Sequence, residues 1–377
     1  MNIGIDITAI IYGRGVSRYT SNLVRSLIEI DQNLCLFGSS LRQRKQLEEF
    51  SETLSRYYRK NITTDFQLLP QRLQTFLWHT LKKNTFSSST KKVDVFHSWD
   101  WMQPPLETIP LVSTIHDLAM IKFPESAHPA ILHQHQQSWD ILKEKKARII
   151  AVSNATKKDI VSLLGYPSYL VDVVHEALPK EVSEVNEAIT EEHAAALKNK
   201  LALTRPYILF VGTREPRKNV LRLIEAWKPL SGNIDLIVAG AVGWDETTTQ
   251  QHPGLRFLGR VSDEELSVLY AEAELFAYPS LYEGFGLPIL EAFHHGTPVV
   301  TSNNSGMVEV AGNAAELVDP ESTHSIRTGI EKVLNESSDE QKKRLQRMII
   351  RQQMFSWNRV TKETVAVYKK AVNEFSS

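Results

Sequence analysis

The sequence predicts an α/β protein made of two lobes, each built on a doubly wound parallel sheet. Short apolar runs bounded by turn residues recur along the 377 residues, with helix-length segments between them, which is typical of a parallel sheet covered on both faces. The chain is also longer than a single hydrophobic core usually supports. A polar, acidic stretch at residues 179–205 interrupts the series of apolar runs. We therefore predict one lobe over residues 1–180 and a second over residues 181–356.

The apolar runs predict the strands in chain order. In the first lobe we expect strands at residues 2–7, 34–37, 93–96, 111–115, 149–152 and 170–174. In the second lobe we expect strands at residues 207–211, 234–239, 255–258, 275–278 and 299–302. Open α/β sheets bind ligands outside the carboxyl ends of their strands, so two such lobes predict a central cleft lined by the loops that follow the strands.

Two helices are predicted outside this alternation. Residues 190–201 start with Thr190 as a helix N-cap, and Glu191 and Glu192 lie in the first turn, where a side-chain acceptor and negative charge are favourable. Residues 357–377 carry apolar and charged side chains at helical spacing, which predicts an amphipathic closing helix. We expect this closing helix to pack back on the first lobe.

Residues 71–83 predict a basic amphipathic helix. Its apolar face carries Leu73, Phe76, Leu77 and Leu81, and its basic residues are Arg72, Lys82 and Lys83. Such a helix packs on a lobe with its basic end in solvent, or it lies on an anionic membrane surface. We favour packing on the first lobe and keep a peripheral membrane contact as the alternative.

The composition excludes several classes of protein. Lys and Arg total 43 against 44 for Asp and Glu, so no global field attracts nucleic acid. The single cysteine, Cys35, cannot form an internal disulfide, which fits a reducing cytoplasm. The N-terminus lacks the pattern of a signal peptide, and no apolar run approaches the length of a membrane span. We expect a cytoplasmic protein that is neither secreted nor integral to a membrane.

The most informative segment for function runs from Tyr278 to Phe293. It follows a predicted strand and enters a helix whose first turn is opened by Pro288. Gly284 and Gly286 leave the backbone bare before this helix, so peptide N–H groups can approach an anion that the helix dipole also favours. The segment therefore predicts a phosphate cradle, although it lacks the Lys-Ser/Thr of a P-loop.

Two carboxylates, Glu283 and Glu291, flank this cradle in the stretch Glu283-Gly-Phe-Gly-Leu-Pro-Ile-Leu-Glu291. One carboxylate can reach hydroxyl groups on the sugar side of a bound diphosphate, and the other can reach the ribose side. Taken singly, each is an ordinary loop or helix-first-turn charge. The order strand, glycine loop, helix and second glutamate favours a nucleotide sugar as the ligand.

The segment resembles the Glu-x7-Glu motif of glycosyltransferase family 4, a family of retaining enzymes with the two-lobed GT-B fold. Further matching segments are Gly13-Arg-Gly-Val-Ser-Arg-Tyr19, His116-Asp117, Gly212-Thr-Arg-Glu-Pro-Arg-Lys-Asn219 and Gly296-Thr-Pro-Val-Val300. The resemblance covers essentially the whole chain, and the chain is most similar to the bacterial polysaccharide-building, mannosyltransferase-like subgroup. It implies two Rossmann-like, doubly wound parallel-sheet domains facing a central cleft.

The resemblance also implies roles for individual residues. In the 212–219 loop, Lys218 matches the lysine that holds the donor diphosphate, whereas many members carry the partner arginine where this chain has Thr213. Arg214 and Arg217 therefore remain alternatives for that arginine. The implied donor-binding residues are Gly13, Gly15, Arg214, Arg217, Lys218, Gly259, Arg260, Val261, Glu283, Gly284, Phe285, Gly286, Leu287 and Glu291. The implied catalytic residues are His116, which follows a strand and would contact the transferred sugar, together with Glu283 and Lys218.

Other polar residues near strand ends are weaker candidates. His97 and Ser153 follow predicted strands, and His128, His133 and His135 resemble a metal-ligand cluster. No fitting cysteine or carboxylate pattern accompanies these histidines, so we interpret residues 129–139 as a helix. The chain has no Asp-x-Asp pair, which argues against a metal-bound diphosphate.

We therefore expect a metal-independent hexosyltransferase that needs no cofactor beyond its nucleotide-sugar donor. The expected reaction is retaining transfer to a glycan or lipid-linked saccharide in polysaccharide biosynthesis, with UDP-glucose slightly favoured over GDP-mannose as the donor. The enzyme is expected in the cytoplasm, with peripheral contact at the inner membrane face as an alternative. The alternatives are a catalytically silent sugar-nucleotide-binding partner and a nucleotide-sugar epimerase of the same fold.

Overall fold

The computed structural model describes residues 1–13, 15–126, 128–243 and 251–376. The chain divides into two units. The first unit contains residues 1–118, 127–176 and 357–377, and the second contains residues 119–126 and 177–356. Compared with the predicted division, the boundary lies four residues earlier, and residues 119–126 group with the second unit instead of the first.

Strands and helices alternate along most of the chain. The strands are β1 (Asn2–Asp6), β2 (Asn33–Ser39), β3 (Thr63–Gln67), β4 (Val95–Trp99), β5 (Leu111–Ile115), β6 (Arg148–Ala151), β7 (Val171–Val173), β8 (Tyr207–Val211), β9 (Asp235–Ala239), β10 (Leu255–Gly259), β11 (Leu275–Tyr278), β12 (Val299–Ser302) and β13 (Glu316–Val318). The helices are α1 (Gly15–Glu29), α2 (Arg44–Tyr58), α3 (Gln71–Thr75), α4 (Ala119–Lys122), α5 (Pro129–Glu144), α6 (Asn154–Leu164), α7 (Lys180–Ala188), α8 (Glu191–Lys200), α9 (Val220–Trp227), α10 (Asp263–Ala271), α11 (Leu287–His294), α12 (Ser305–Ala311), α13 (Thr323–Leu334), α14 (Ser338–Gln353) and α15 (Trp357–Phe375).

Each unit contains one parallel sheet. The first sheet has the order β3-β2-β1-β4-β5-β6-β7, and the second has the order β10-β9-β8-β11-β12-β13. The strand order reverses between β1 and β4 in the first sheet, and between β8 and β11 in the second. Loops that leave neighbouring strands in opposite directions open a crevice at such a switch point. The predicted α/β fold class is therefore confirmed in both units, and each sheet has a defined place for a ligand.

The central strands were predictable because both of their faces are buried. All residues of β4, β5, β9, β11 and β12 are buried, which requires the nearly continuous apolar runs of a parallel sheet. The sequence prediction missed β3 and β13, which are the last strands at one edge of each sheet. In β3 the only buried residue is Asp65, so this strand has no apolar run to identify it.

Both helices predicted outside the strand–helix alternation are present, as α8 and α15. The Thr190 side chain accepts a hydrogen bond from His193 N at the start of α8, as its predicted N-cap role requires. Helices α7 and α8 pack on α10, so residues 179–205 form part of the second unit. The closing helix α15 contacts α1 and strands β4, β5 and β6 of the first unit.

The segment 71–83 packs on the first unit through Trp78, but not through its predicted apolar face. Helix α3 is followed by a single π-helical turn, Phe76–Thr80, and the predicted apolar face is largely in solvent. Leu73, Phe76 and Leu81 are 42%, 48% and 54% exposed. Gln74 and Trp78 are buried instead, and both donate to the hydroxyl of Thr85. The helix packs through its tryptophan because that side chain buries more surface than the leucines would.

Within the described residues, no helix combines the length and the apolar character that crossing a membrane requires.

Candidate functional site

The switch point of the second sheet brings together the loops that follow β8 and β11. The β8 loop ends in a 3-10 turn, Pro216–Lys218, and the chain then passes through Asn219 in the left-handed region. The Asn219 side chain donates to the carbonyl oxygens of Pro279 (2.9 Å) and Pro320 (2.7 Å), and Leu281 N donates to Arg217 O at 2.7 Å. These bonds fix the β8 loop against the loop that follows β11.

A buried ion cluster joins the same two loops. Lys218 Nζ donates to Glu283 Oε1 at 2.6 Å, and Arg217 Nη1 donates to Glu283 Oε2 at 3.0 Å. The Tyr278 hydroxyl accepts from Lys218 Nζ at 2.8 Å and donates to Glu283 Oε1 at 2.8 Å. Arg217 also donates to Glu215 and to the carbonyl of Tyr282. The cluster is internally paired, as buried charges must be.

The electrostatics of this cluster keep Glu283 ionised. Burial by itself would raise the pKa of Glu283, but the charges of Lys218 and Arg217 outweigh burial and lower it to about 2. Burial lowers the pKa of Lys218, and the neighbouring Glu283 acts in the opposite direction. Two cations therefore share the Glu283 carboxylate, and Arg217 is also paired with Glu215, so the charges of the cluster balance one another.

The glycine loop after Glu283 leads directly into α11. Gly286 has a φ of 111°, a region that side chains other than glycine rarely adopt. Gly306 of α12 lies against the loop so closely that an added Cβ would stand 2.2 Å from the Gly284 carbonyl oxygen. Phe285 packs edge-on against Phe355. The loop is thus packed against α12 and Phe355, and α11 begins directly after it at Leu287.

Glu291 lies in α11 beyond this loop and is buried. The hydroxyl of Tyr270 donates to Glu291 Oε2 at 3.0 Å. Glu283 and Glu291 therefore both accept a hydrogen bond from a tyrosine hydroxyl, and Glu283 is paired with two cations as well.

The remaining predicted residues of the second unit lie around β10. The Arg214 guanidinium stacks over the ring of Phe257 at 4.9 Å, whereas Arg217 belongs to the Glu283 cluster. Gly259 ends β10 with a φ of 69°. Arg260 is exposed and Val261 is half-buried in the loop that follows. The structure thus places Arg217 and Lys218 together, and it places Arg214 by β10.

In the first unit, His116 follows β5 and pairs with a carboxylate. Its Nδ1 lies 2.7 Å from Glu176 Oε1, and its ring contacts the edge of Tyr19 and stacks on Trp99. Among the described residues, His116 Nε2 is buried and has no hydrogen-bond partner. Burial would lower the pKa of His116, but Glu176, with smaller contributions from Asp100 and Asp117, raises it.

Two predicted glycines lie after β1 in the same unit. Gly13 ends a 3-10 turn in the left-handed region, with a φ of 60°, and Gly15 begins α1. An added Cβ at either position would meet no atom within 4 Å, so there is open space beside this backbone. Arg14, which separates them in the matching motif, lies outside the described residues.

Some weaker candidates have structural roles. His97 lies inside β4, fully buried, and its ring nitrogens face the hydroxyls of Tyr368 (2.6 Å) and Thr114 (2.9 Å). Ser153 caps α6 through a hydrogen bond from Thr156 N. His128 accepts a hydrogen bond from Ala130 N at the start of α5. In the described part of the chain, no group of three His, Cys, Asp or Glu side chains is arranged to hold a metal ion.

Sequence analysis missed three polar residues that contact the predicted ones: Glu176, Tyr270 and Tyr278. Tyr278 and Glu176 follow the rule used for His116, because they lie at or just after the carboxyl ends of β11 and β7. Tyr270 lies in α10, where neither spacing nor strand position marks it.

Two family models match the chain. The model described as Glycosyltransferase Family 4 matches residues 13–181, and the one described as Glycosyl transferases group 1 matches residues 193–352. The chain is 29% identical over 373 residues to the O-antigen chain mannosyltransferase B of Escherichia coli, covering 94% of this chain and 96% of that protein. It is 28% identical over 237 residues to the O-antigen chain mannosyltransferase RfbU of Salmonella typhimurium, covering 60% and 62% of the two proteins.

Solved structures share the fold. A glycosyltransferase from Rickettsia africae matches with a TM-score of 0.73 at 16% identity, covering 98% of both chains. The Anabaena protein Alr3699/HepE, in complex with UDP and glucose, matches with a TM-score of 0.70 at 16% identity, covering 98% of this chain and 100% of that one. At this level of identity the likeness concerns the fold alone.

Proposed function

Because the chain belongs to glycosyltransferase family 4 and has its GT-B fold, we propose that it transfers a hexose from a nucleotide-diphosphate sugar to a saccharide acceptor in polysaccharide biosynthesis. The observation that supports this proposal is the buried cluster of Arg217, Lys218 and Glu283 beside the amino end of α11. Two cations and a helix amino end can neutralise a diphosphate. Arg217, which shares Glu283 with Lys218, is the arginine that we assign to the diphosphate.

We propose mannose as the transferred sugar, and therefore GDP-mannose as the donor. Relatives of this chain include O-antigen chain mannosyltransferases, and GDP-mannose is the mannose donor among the two that the sequence leaves open. UDP-glucose, which the sequence slightly favours, becomes the second candidate. The acceptor that we propose is a glycan or a lipid-linked saccharide.

The mechanism that we propose is transfer with retention and without a metal cofactor. Lys218 and Arg217 stabilise the charge that develops on the departing diphosphate, a contribution of several kcal/mol in a site that excludes water. Amide groups of residues 284–287 bind the same phosphates, and Glu291 accepts hydrogen bonds from the ribose. His116 contacts the transferred sugar. Residues 259–261 lie against the nucleotide base.

The pairing of Glu283 with both cations refines the role that we propose for Glu283 in binding the sugar. Its Oε1 already accepts two hydrogen bonds, from Lys218 and Tyr278, which fills the lone pairs of that oxygen. A sugar hydroxyl would therefore meet Oε2, on the side of Arg217. We propose that Glu283 sets the position of the two cations and offers this second oxygen to the sugar.

A nucleotide-release assay over a panel of GDP- and UDP-sugars tests the proposal. We expect release of GDP from GDP-mannose when a suitable saccharide is present, and loss of most of it in Lys218→Ala. The matched control is Lys332→Ala, because Lys332 forms an exposed ion pair with Glu316 in the same unit. Turnover of Lys218→Ala close to that of the control would contradict the site assignment.

The same assay separates the two alternatives. Donor binding without release on any acceptor would favour a catalytically silent partner of another transferase. Recovery of an epimerised sugar, with no glycosylated acceptor, would favour the epimerase.

We also propose that the first unit docks on an anionic membrane surface. The patch that we propose combines six exposed apolar side chains of this unit: Tyr12, Leu41, Leu68, Leu73, Phe76 and Leu81. The loops that carry these residues are joined, because Ser40 N donates to Gln67 O and the Tyr12 hydroxyl donates to Gln71. Residues 66–93 contain no Asp or Glu but include Arg72, Lys82 and Lys83, so this segment carries only positive charge. Apolar side chains with a basic rim suit anionic lipids.

Sedimentation with lipid vesicles tests this docking. We expect binding to vesicles of phosphatidylglycerol and phosphatidylcholine, weaker binding to phosphatidylcholine alone, and release by salt. A variant with Leu73→Ser and Phe76→Ser should lose most of the binding. The control is Ile350→Ser, which changes an exposed apolar residue of the second unit. Equal binding of the patch variant and the control would rule the patch out as the membrane contact.

A further inference from the structure

Tyr270 and Glu291 form a buried pair that the proposed mechanism does not explain. Tyr270 lies in α10, one residue before its end, and its side chain is 1% exposed. Its hydroxyl donates to Glu291 Oε2 at 3.0 Å. Burying a tyrosine hydroxyl is unfavourable unless it finds a partner, and here the partner is one of the two carboxylates of the motif.

Two ring contacts and one backbone hydrogen bond hold Tyr270 against other elements. It stacks on His295 at the end of α11 (5.4 Å, 19°) and meets Phe276 of β11 edge-on at 5.3 Å. The carbonyl oxygen of Tyr270 accepts a hydrogen bond from Thr297 Oγ1 at 2.6 Å, just before β12. The hydroxyl thus has a fixed position relative to the sheet and to α11.

Tyr270 can act only as a donor to Glu291. Burial, followed by the charge of Glu291, raises the pKa of Tyr270 well above its usual value, so the hydroxyl stays protonated. A glutamate side chain has several rotamers of similar energy, and a hydrogen bond to one oxygen restricts it to those that keep that contact. Fixing Oε2 in this way also fixes the direction in which the other oxygen faces.

We propose that Tyr270 is the positioning residue for Glu291 and thereby sets the preference of this site for nucleotides with intact ribose hydroxyls. The inference rests on the proposed function, which assigns Glu291 to the ribose. It goes beyond that assignment because it makes ribose recognition depend on a residue of another helix. Each glutamate of the motif then accepts a hydrogen bond from a buried tyrosine hydroxyl, Glu283 from Tyr278 and Glu291 from Tyr270.

The test compares the binding of GDP with that of 2′-deoxy-GDP and 3′-deoxy-GDP by calorimetry, for the full chain and its variants. The UDP series replaces these ligands if the donor assay selects UDP. We expect the wild-type chain to prefer GDP over at least one deoxy analogue by about tenfold, because a hydrogen bond to a charged group is lost. In Tyr270→Phe, which keeps the ring, the preference should fall to about twofold to threefold.

Tyr207→Phe is the matched control. Tyr207 is also buried in this unit, and its hydroxyl donates to the backbone oxygen of Leu269 at 2.8 Å. It therefore loses a buried hydroxyl of the same kind without touching a carboxylate. We expect its ribose preference to equal that of the wild-type chain, even if its melting temperature falls as much as that of Tyr270→Phe.

Glu291→Gln separates the failure of this inference from the failure of the proposed function. If Glu291→Gln keeps the full ribose preference, the assignment of Glu291 to the ribose is wrong. If Glu291→Gln loses the preference while Tyr270→Phe keeps it, only the positioning role is wrong. Residues that act through one another have non-additive effects, so the double variant should bind GDP no more weakly than Glu291→Gln. A further loss in the double variant would show that Tyr270 supports the fold instead.

Discussion

At the scale of single residues, the ion cluster around Glu283 determines how a diphosphate can bind. Lys218 and Arg217 lie on opposite oxygens of one buried carboxylate, so neither cation is left unpaired before the donor arrives. Arg217 is also paired with Glu215, so two carboxylates balance the two cations and hold them in position. The donor therefore binds to a preformed arrangement, and little reorganisation is needed when charge develops on the leaving group.

The first prediction concerns Glu283→Gln. Removing one member of a buried ion pair leaves an uncompensated charge, which typically lowers stability by about 3–5 kcal/mol. We expect a loss of this size in urea unfolding at pH 7, and partial recovery in the double variant Lys218→Met with Glu283→Gln. Because the pKa of Glu283 is depressed to about 2 from 4.5, its stabilisation is present above pH 4.5 and is lost as the pH falls towards 2. A single variant that unfolds like the wild-type chain at pH 7 would contradict the energetic role of the cluster.

The second prediction concerns Glu176→Gln in the first unit. Because the pKa of His116 is raised above its ordinary value of 6.5, the contribution of the pair to stability is complete below pH 6.5 and is lost as the pH rises through the folded pKa. Without the charge of Glu176, the lowering effect of burial should dominate, and the pKa of His116 should fall. Titration of the His116 ring by NMR measures this change directly.

The pH dependence of kcat/KM provides an independent check of the same variant. If the charged imidazole contacts the sugar, the basic limb of the profile should move to lower pH in Glu176→Gln, together with the ring pKa. Asp100 and Asp117 also face His116 and raise its pKa, so Asp117→Asn should produce a smaller shift in the same direction. An unchanged His116 pKa in Glu176→Gln would rule out the pairing.

For single residues, the sequence predicted where the site residues lie better than it predicted which residues they contact. Glu283, Lys218 and His116 were predictable because each follows a strand or a glycine loop at the expected edge of a sheet. Their partners were not: Lys218 and Glu283 are 65 positions apart in the chain, and His116 and Glu176 are 60 apart. Only the strand order, which brings the carboxyl ends of β8 and β11 side by side, defines such pairs.

At the scale of elements, α12 supports the phosphate loop, and the third prediction tests this support. In Gly306→Ala the new Cβ would stand 2.2 Å from the Gly284 carbonyl oxygen, and neither backbone can yield without moving the loop. We expect a loss of about 1–3 kcal/mol in stability and weaker binding of the nucleoside diphosphate by calorimetry. Gly232→Ala is the control, because a Cβ there meets no atom within 4 Å. Wild-type affinity in Gly306→Ala would show that the loop does not depend on α12.

Elements were predictable where one physical pattern dominated. Central strands need apolar residues on both faces, which the sequence shows. The edge strands β3 and β13 are only partly buried, and each is defined by its backbone pairing with the neighbouring strand. In residues 71–80, helical periodicity correctly predicted a helix but chose the wrong face. The burial of Trp78 and the π-helical turn override the leucine pattern, and periodicity contains no information about either.

At the scale of the whole molecule, the sequence prediction treated the first lobe as one continuous stretch of chain up to residue 180. Residues 119–126 lie inside the predicted first lobe but group with the second unit. Lys122 lies over the ring of Tyr282 at 4.5 Å, and Phe123 faces the same ring, which explains the grouping. A chain that leaves a unit and returns to it after eight residues gives no change of composition to detect.

The last prediction follows from the closing helix α15, which belongs to the first unit although the second unit precedes it in the chain. The Tyr368 hydroxyl lies 2.6 Å from His97 Nδ1 in β4, and Trp357 packs against Tyr19. Each unit has its own core, so calorimetry should resolve two unfolding transitions. Tyr368→Ala should lower the free energy of unfolding of the first unit by about 3–5 kcal/mol, because a large buried side chain is removed. Trp227→Ala, in the core of the second unit, should lower the other transition. If both variants shift the same transition, the two units do not unfold independently, and α15 stabilises the molecule as a whole.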